Sequence, residues 1–402
     1  MEKLRQVAAG WDTPPYPPSV LTLEPPLWTL GLLKVLIAPD KFKGTLSARE
    51  AAHAIAEGWR RGRATDELEL LPITDGGDGF GESMADLLGA GPRTLRTLNA
   101  ARKPCLARWW WEPLTRTAII ESARVIGLAM LPAGRFHPCA LDTFGLGKLL
   151  QHVTRAGARR CLLGIGGSAT NDGGFGLARA LGWEFLERSG RGIEQWTELV
   201  NLARISAPQK QTWPKGLVVA VDVQNPLLGP RGATRIYGPQ KGLRPRELPR
   251  AERCLRQLSN VMEHQFGLRL SSIPGAGAAG GLGFGLMAFC GAGLEPGFDL
   301  FASKAQLVRR LRRADLVLTG EGRIDRSTFM GKGVGRLAKL CSESRIPCLG
   351  LAGFASRGSD CRGRLSRVYG LTEVTSLSKA MGEPAIWLKE LAAKAARNCQ
   401  TL

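Results

Sequence analysis

Four glycine-rich segments stand at joints between apolar runs and helical patterns, and they constrain the fold of this chain more than any other feature. Cys161-Leu162-Leu163 leads into Gly164-Ile165-Gly166-Gly167-Ser168-Ala169-Thr170-Asn171-Asp172-Gly173-Gly174. The run Leu68 to Ile73 leads into Asp75-Gly76-Gly77-Asp78-Gly79, and Asp315-Leu316-Val317-Leu318 into Thr319-Gly320-Glu321-Gly322-Arg323-Ile324-Asp325. The fourth, Gly275-Ala276-Gly277-Ala278-Ala279-Gly280-Gly281, opens a helix of small residues. Glycine lets backbone adopt positive φ and approach a ligand without a Cβ in the way. A helix N-terminus behind such a turn offers free N–H groups and a positive dipole end to an anion. One such turn is more often a tight connection than a ligand site. Four of them, three bearing carboxylates, point to phosphate and metal chemistry.

Between these turns, short apolar strands alternate with amphipathic helices. Strands are predicted at 34–39, 68–73, 117–121, 161–166, 217–222, 315–319 and 347–352. Helices are predicted at 47–61, 143–156, 172–182, 247–266, 304–314, 331–343 and 385–397. This alternation implies α/β layers around largely parallel sheets, with ligands bound outside the carboxyl ends of the strands. A chain of 402 residues has room for two full cores. The run Trp109-Trp110-Trp111 reads as core or interdomain packing.

The motifs resemble the bacterial type I glycerate kinase family. Ile37-Ala38-Pro39-Asp40-Lys41-Phe42-Lys43-Gly44-Thr45-Leu46-Ser47-Ala48 matches the family's opening strand and loop, and Asp75 to Gly79 its DGGEG element. The string 164–174 is its GIGGSATNDGG, and Asn225 to Ala233 its NPLxGxxGA. Gly238 to Gly242 gives GPQKG, Pro274 to Gly281 PGAGAAGG, and Thr319 to Asp325 TGEGRID. The resemblance runs from about Lys34 to near the C-terminus, in family order. It departs at Lys41 (serine in the family), Asp78 (glutamate), Gln224 (an acid), Asp142-Thr143 (a threonine pair) and the late turn Gly353 to Arg357.

The resemblance implies two α/β domains, one discontinuous with a Rossmann-like or flavodoxin-like parallel sheet, and an active site in the cleft between them. The corresponding partition gives residues 33–90 plus 270–402 to the discontinuous domain and 91–269 to the inserted one. It also implies an ATP-dependent kinase acting on D-glycerate, 2-phosphoglycerate being favoured over 3-phosphoglycerate as product. No Walker A or protein-kinase signature is present, so phosphate must be held by another glycine-rich design.

Phosphoryl transfer needs alignment, cations to neutralise phosphate, and a place for the hydroxyl proton. Asp40, Lys43, Asp172, Asp222 and Arg323 are the catalytic candidates. Asp40 and Asp222 close strands, Lys43 follows Asp40, and Arg323 can clamp a carboxylate bidentately. Asp172 serves equally well as helix cap or base, and the sequence leaves both open. Ser47 is a better cap than Asp40 for the helix that follows. Asp75, Asp78, Glu321 and Asp325 are the candidate Mg²⁺ ligands, since Mg²⁺ takes one or two carboxylates and completes its shell with phosphate and water. An Asx-turn with cap at 75–78, and an internal ion-pair cluster at 321–325, are the structural alternatives. Gly166, Gly167, Ser168, Thr170, Asn171, Lys241, Gly277, Gly280, Gly281 and Lys332 are the candidate contacts to nucleotide. Lys41 is expected to be a solvated substitution. His53, His137, His152 and His264 fall outside these loops and read as structural.

The formal charge of +20 suits steering of anionic substrates. Short arginine patches such as Arg60-Arg61-Gly62-Arg63 and Arg309 to Arg313 come without a nucleic-acid-binding signature, so a dedicated nucleic-acid partner is not expected. A nucleic-acid-binding protein on an inactive kinase fold is the competing reading from another class. A nicotinamide-dependent oxidoreductase is disfavoured, because Ala38-Pro39-Asp40-Lys41 is no GxGxxG. Nine cysteines without metal or disulfide spacing suggest reduced thiols in a cytoplasm, and no run approaches a membrane span. The proline-rich stretch 1–32 reads as a flexible extension outside the site. Assembly into homo-oligomers stays open.

Overall fold

The computed structural model describes residues 31–329, 331, 333–355 and 364–399. Nearly all of the proline-rich extension, together with Lys332 and part of the 353–357 turn, lies outside the described residues. The chain lays down β1 (Lys34–Ile37), β2 (Glu67–Leu70), β3 (Gly91–Leu98), β4 (Pro104–Glu112), β5 (Thr117–Glu121) and β6 (Arg160–Gly164). The small pair β7 (Glu184–Glu187) and β8 (Leu202–Ser206) follows, then β9 (Gly216–Ala220) and β10 (Gly293–Glu295). The last three are β11 (Leu316–Ile324), β12 (Cys348–Ala355) and β13 (Arg367–Gly370).

Two α/β sheets result. The first runs β2-β1-β11-β12-β13, all parallel, which in chain order is the flavodoxin arrangement. The second runs β10-β9-β6-β5-β4-β3, parallel from β10 to β5 and antiparallel through β4 and β3. Sheet membership puts the return to the first sheet after Glu295 and not at residue 270. Helix Ala278–Cys290 packs in the second sheet's core, and β10 pairs with β9.

Parallel strands buried on both faces need continuous apolar sequence, which Val35-Leu36-Ile37 and Leu316-Val317-Leu318 supply. One face of the first sheet is covered by helices Ala48–Gly62 and Pro384–Asn398. They approach so closely that a Cβ on Gly58 would lie 2.1 Å from the Lys389 carbonyl oxygen. The other face shares one apolar cluster with the second sheet, in which Leu36 and Val317 join Trp110, Ile119, Leu162 and Ala220. Helix Phe80–Leu88 lies in this middle layer, with Gly81 against the Trp110 ring. Because alternate residues of a strand face opposite ways, Trp109 enters the second sheet's outer core while Trp110 enters the shared one. The tryptophan run thus works as packing, as the sequence implies.

Two helices differ from expectation. The segment 304–314 is broken into Gly297–Lys304 and Leu307–Leu311, because Gln306 takes a left-handed φ of 49°. The helix expected at 172–182 is only Phe175–Ala180, its start displaced by Gly173 and Gly174 at φ 63° and 79°.

Candidate active site

In the first sheet, β1 feeds a helix on one face and β11 a helix on the other, so the crevice between their carboxyl ends is a topological switch point. Asp40 and Glu321 stand there. The Asp40 amide donates to the Gly320 carbonyl at 2.8 Å, which ties the two strand ends together. Ser47 caps helix Ala48–Gly62 in a reciprocal box with Glu50, so Asp40 is released from capping.

The first sheet also supplies the 75–79 loop, which follows β2, while the second sheet supplies the 164–168 turn after β6 and Asp222 after β9. Asp75 makes an Asx-turn, accepting from the Gly77 amide at 3.1 Å. Asp78 caps nothing. The amides of Gly79 and Gly81 donate instead to Glu121, a buried carboxylate at the end of β5. Gly166 and Gly167 let the two loops close on each other: a Cβ on Gly166 would lie 2.6 Å from Gly77 Cα, and one on Gly167 2.7 Å from Asp78 Oδ1.

These elements surround a cavity of about 820 Å³. It brings together Asp40, Lys43, Asp75, Asp78, Gly166, Gly167, Ser168, Asp222, Lys241, Glu321, Arg323 and Asp325. A second cavity of about 400 Å³ adjoins it and shares Asp40, Lys41, Lys43 and Asp78.

Charge is crowded at this junction. Burial, and then the Asp75 charge, push the Asp40 carboxyl up to about 7, against the pull of Lys41. Asp222 is raised by the same two causes, while a hydrogen bond from the Gly297 amide opposes them. Asp222 is the more exposed of the two, so solvent tempers its shift. Lys241 is buried, with Nζ 2.6 Å from the Thr170 carbonyl and 3.1 Å from Ser168 Oγ, and burial lowers its ammonium to about 7. Arg323 forms no salt bridge among the described residues, so the proposed ion-pair alternative does not hold it. Its guanidinium carbon lies 5.3 Å from the centre of the exposed Phe354 ring.

Six candidates lie away from the cavity walls. Asp172 is fully buried, and its carboxylate accepts from the Thr143 amide (2.9 Å) and hydroxyl (2.8 Å) and from the Gly174 (3.3 Å) and Gly176 (2.9 Å) amides. It joins two helix starts and does not line the cavity. Thr170 and Asn171 are buried beside it, Asn171 donating to Thr234. Gly277, Gly280 and Gly281 are consumed by packing. Added Cβ atoms would meet the Pro226 carbonyl oxygen at 2.1 Å, the Thr170 carbonyl oxygen at 2.0 Å and the Gly173 Cα at 2.9 Å. Lys332 falls outside the described residues.

Sequence reasoning missed Tyr237, Gln240 and Ser327 on the cavity wall. Tyr237 directly precedes the GPQKG string, Gln240 lies inside it beside Lys241, and Ser327 follows Asp325 by two, so adjacency was the available signal. Lys41, expected to be solvated, turns inward: its side chain is 27% exposed and Nζ donates to the Asp78 carbonyl at 3.1 Å.

Known proteins carry the same architecture. The model of the glycerate kinase family matches residues 35–400. A glycerate kinase of Halalkalibacterium halodurans is 38% identical over 81% of this chain and 86% of its own length. The glycerate 2-kinase of Escherichia coli is 35% identical over 80% of this chain and 85% of its own. A solved structure of a candidate glycerate kinase 2 from Salmonella typhimurium superposes with a TM-score of 0.80 at 32% identity, covering 92% of this chain and 99% of that one. The chain belongs to the glycerate kinase family, a family of phosphotransferases.

Proposed function

We propose that this chain phosphorylates D-glycerate on its 2-hydroxyl, with ATP as donor and Mg²⁺ as the cation. The carrying observation is the pair of adjoining cavities, about 820 and 400 Å³, that share Asp40, Lys41, Lys43 and Asp78. The larger has room for a nucleotide and the smaller for a triose acid, so their shared wall is where donor phosphate and acceptor hydroxyl meet. Asp40 is the base at that wall. The bond from the γ-phosphorus to the ADP oxygen breaks, the glycerate hydroxyl oxygen bonds to phosphorus, and the hydroxyl proton goes to the Asp40 carboxylate. A carboxyl raised to about 7 is ionised in useful fraction near neutrality and holds the proton well once received. Lys43 and Arg323 hold anionic groups, the carboxylate of glycerate included.

Asp75, Asp78, Glu321 and Asp325 offer hard oxygen donors, the chemistry Mg²⁺ requires. No group of three or more His, Cys, Asp or Glu among the described residues converges tightly enough to hold an ion alone. The ion would therefore share these carboxylates with phosphate oxygens and water, and when bound it neutralises charge on the phosphates. The choice of the 2-hydroxyl draws support from the Escherichia coli relative's name. The +20 charge is read as steering of ATP and glycerate, with no dedicated nucleic-acid partner. No helix among the described residues is long and apolar enough to cross a membrane, which accords with a cytoplasmic enzyme.

Phosphorus NMR of the mixture of ATP, Mg²⁺, D-glycerate and enzyme tests the reading. 2-Phosphoglycerate and ADP are expected. 3-Phosphoglycerate would move the acceptor to the other hydroxyl, and absence of any phosphoglycerate would overturn the reading.

A further inference from the structure

Lys41 is the residue whose placement the sequence most misjudges. It follows Asp40 at the carboxyl end of β1, on a loop where a long side chain could extend into solvent. Instead Nζ sits 3.9 Å from Asp75 Oδ1 and donates to the Asp78 carbonyl at 3.1 Å. Gly77 leaves the room it occupies, since a Cβ there would come within 3.1 Å of Nζ. The lysine lines both cavities, and its charge is felt at Asp40 and at Asp222. An ammonium has three donors, and the one hydrogen bond to Asp78 leaves two for a ligand.

We propose that the Lys41 ammonium is a resident cation of the phosphoryl-transfer site: it occupies the ground between the carboxylates, lowers their hold on a divalent ion, and contacts the phosphoryl group as it passes between the two cavities. This rests on the kinase reading above. Carboxylates that repel one another at a phosphate site need positive charge before an anion can enter. A divalent ion brings that charge only when bound, whereas a tethered ammonium is always present. A neutral side chain at position 41, such as the serine of the resembled family pattern, leaves the whole task to the ion. A lysine placed only to pin the 75–79 loop would matter for stability and for nothing else.

The test is Mn²⁺ binding to the full chain without substrates, followed by electron paramagnetic resonance, for wild type, Lys41→Ser and Lys41→Arg. It is paired with turnover at saturating Mg²⁺ and with the thermal midpoint. Lys41→Ser is expected to bind Mn²⁺ about tenfold more tightly, because a positive charge near the ligands is gone. It should also lose at least about tenfold in kcat with a smaller change in KM, as fits an interaction made in transit. Lys41→Arg should stay near wild type in both. Unchanged Mn²⁺ affinity in a folded Lys41→Ser protein overturns the proposal. So does tighter Mn²⁺ with undiminished kcat, which would make the lysine a mere obstacle to metal. If Lys41→Ser does not fold, Lys41→Arg decides: tenfold tighter Mn²⁺ or a tenfold loss of kcat overturns the proposal, and wild-type values support it. A wild-type chain that forms no phosphoglycerate strikes the kinase reading, while the Mn²⁺ titration still reports on the lysine's place among the carboxylates.

Discussion

The 75–79 loop and the 170–174 loop carry nearly the same chemistry in sequence, glycine pairs beside aspartate at a strand-to-helix joint, yet fold into opposite environments. Asp75 shares an open cleft with Asp40 and Asp222, and its charge raises the cost of ionising both. Asp172 is sealed in, its oxygens taken up by four donors. The glycines differ in the same way. Gly166 and Gly167 bring one loop against another at the cavity wall, whereas Gly280 and Gly281 are pressed against the backbone of 170–173 with no cavity between. A carboxylate with its donors already supplied by the protein has nothing left to offer a ligand. One held among like charges stores unfavourable energy that an incoming cation relieves. Satisfaction, more than residue type, separates the loop that lines the cavity from the one packed behind it.

Asp40→Asn should give the largest effect and sharpen the contrast most. With the proposed base removed, turnover is expected to fall by roughly 10²–10⁴-fold. In wild type kcat/KM should rise with pH through about 7, as Asp40 ionises, and this limb should be absent from the residual activity of the variant. Stability moves the other way. A folded pKa of about 7 against 3.8 unfolded means the folded state retains a proton the unfolded chain has lost. That contribution is complete below pH 3.8 and disappears as pH rises through 7. At pH 8 the wild type therefore carries the cost of a charged Asp40, and the asparagine variant should melt higher. A variant that is active, or less stable at pH 8, would place Asp40 among the satisfied carboxylates.

Asp172→Asn should show the reverse pattern. Asparagine caps a helix about as well as aspartate, but here an amide offers one acceptor oxygen where four donors converge, and its NH₂ would face donors. Thr143 Oγ1 cannot turn away, because it accepts from the Leu177 amide while donating to Asp172. A loss of roughly 2–3 kcal/mol is expected from donors left buried without acceptors, with kcat close to wild type in the molecules that fold. Burial and the Asp142 charge also raise Asp172, to about 6, so its share of stability should fade as pH rises through 6 and be missing from the variant's pH profile. A stable variant with abolished turnover would return Asp172 to the catalytic set.

What was legible follows from the range over which each feature is decided. The alternation of strands and helices, the cap at Ser47 and the position of Asp40 at a strand end are local, and sequence reads them. The role of Asp172 depends on Thr143, 29 residues earlier, and the 79–81 amides depend on Glu121, about 40 residues later. No window along the chain contains those pairs. Strands β3 and β4 escaped for a different reason: β3 is an edge strand with most of its residues exposed, so it lacks the apolar run that marked the others. Lys41 was misread because a lysine's charge says nothing about which way its stem will turn. The family resemblance located the cleft loops but could not separate residues that line it from glycines that pack behind it, because both kinds lie in the same motifs.

The smallest predicted effect lies where the two environments meet. Ala279 lines the large cavity, and its carbonyl accepts from Ser168 Oγ at 3.0 Å. It is also held at φ 55° and ψ 34°, a left-handed conformation that its Cβ resists by about 1–2 kcal/mol. Its neighbours Gly280 and Gly281 share that conformation without the penalty. Replacing Ala279 by glycine removes the strain but makes the unfolded chain more flexible, which gives back about 0.5–1 kcal/mol. The difference leaves a net stabilisation of about 0.5–1 kcal/mol, visible as a small rise in thermal midpoint. If the Ser168–Ala279–Lys241 contacts belong to the packed side of the boundary, kcat and KM should stay close to wild type. A fall in kcat accompanying the gain in stability would instead show that the cleft uses the strain, and would extend the working region past Ser168 into the 275–281 loop. A loss of stability would mean that packing of the Ala279 methyl against the second sheet's core outweighs the backbone penalty.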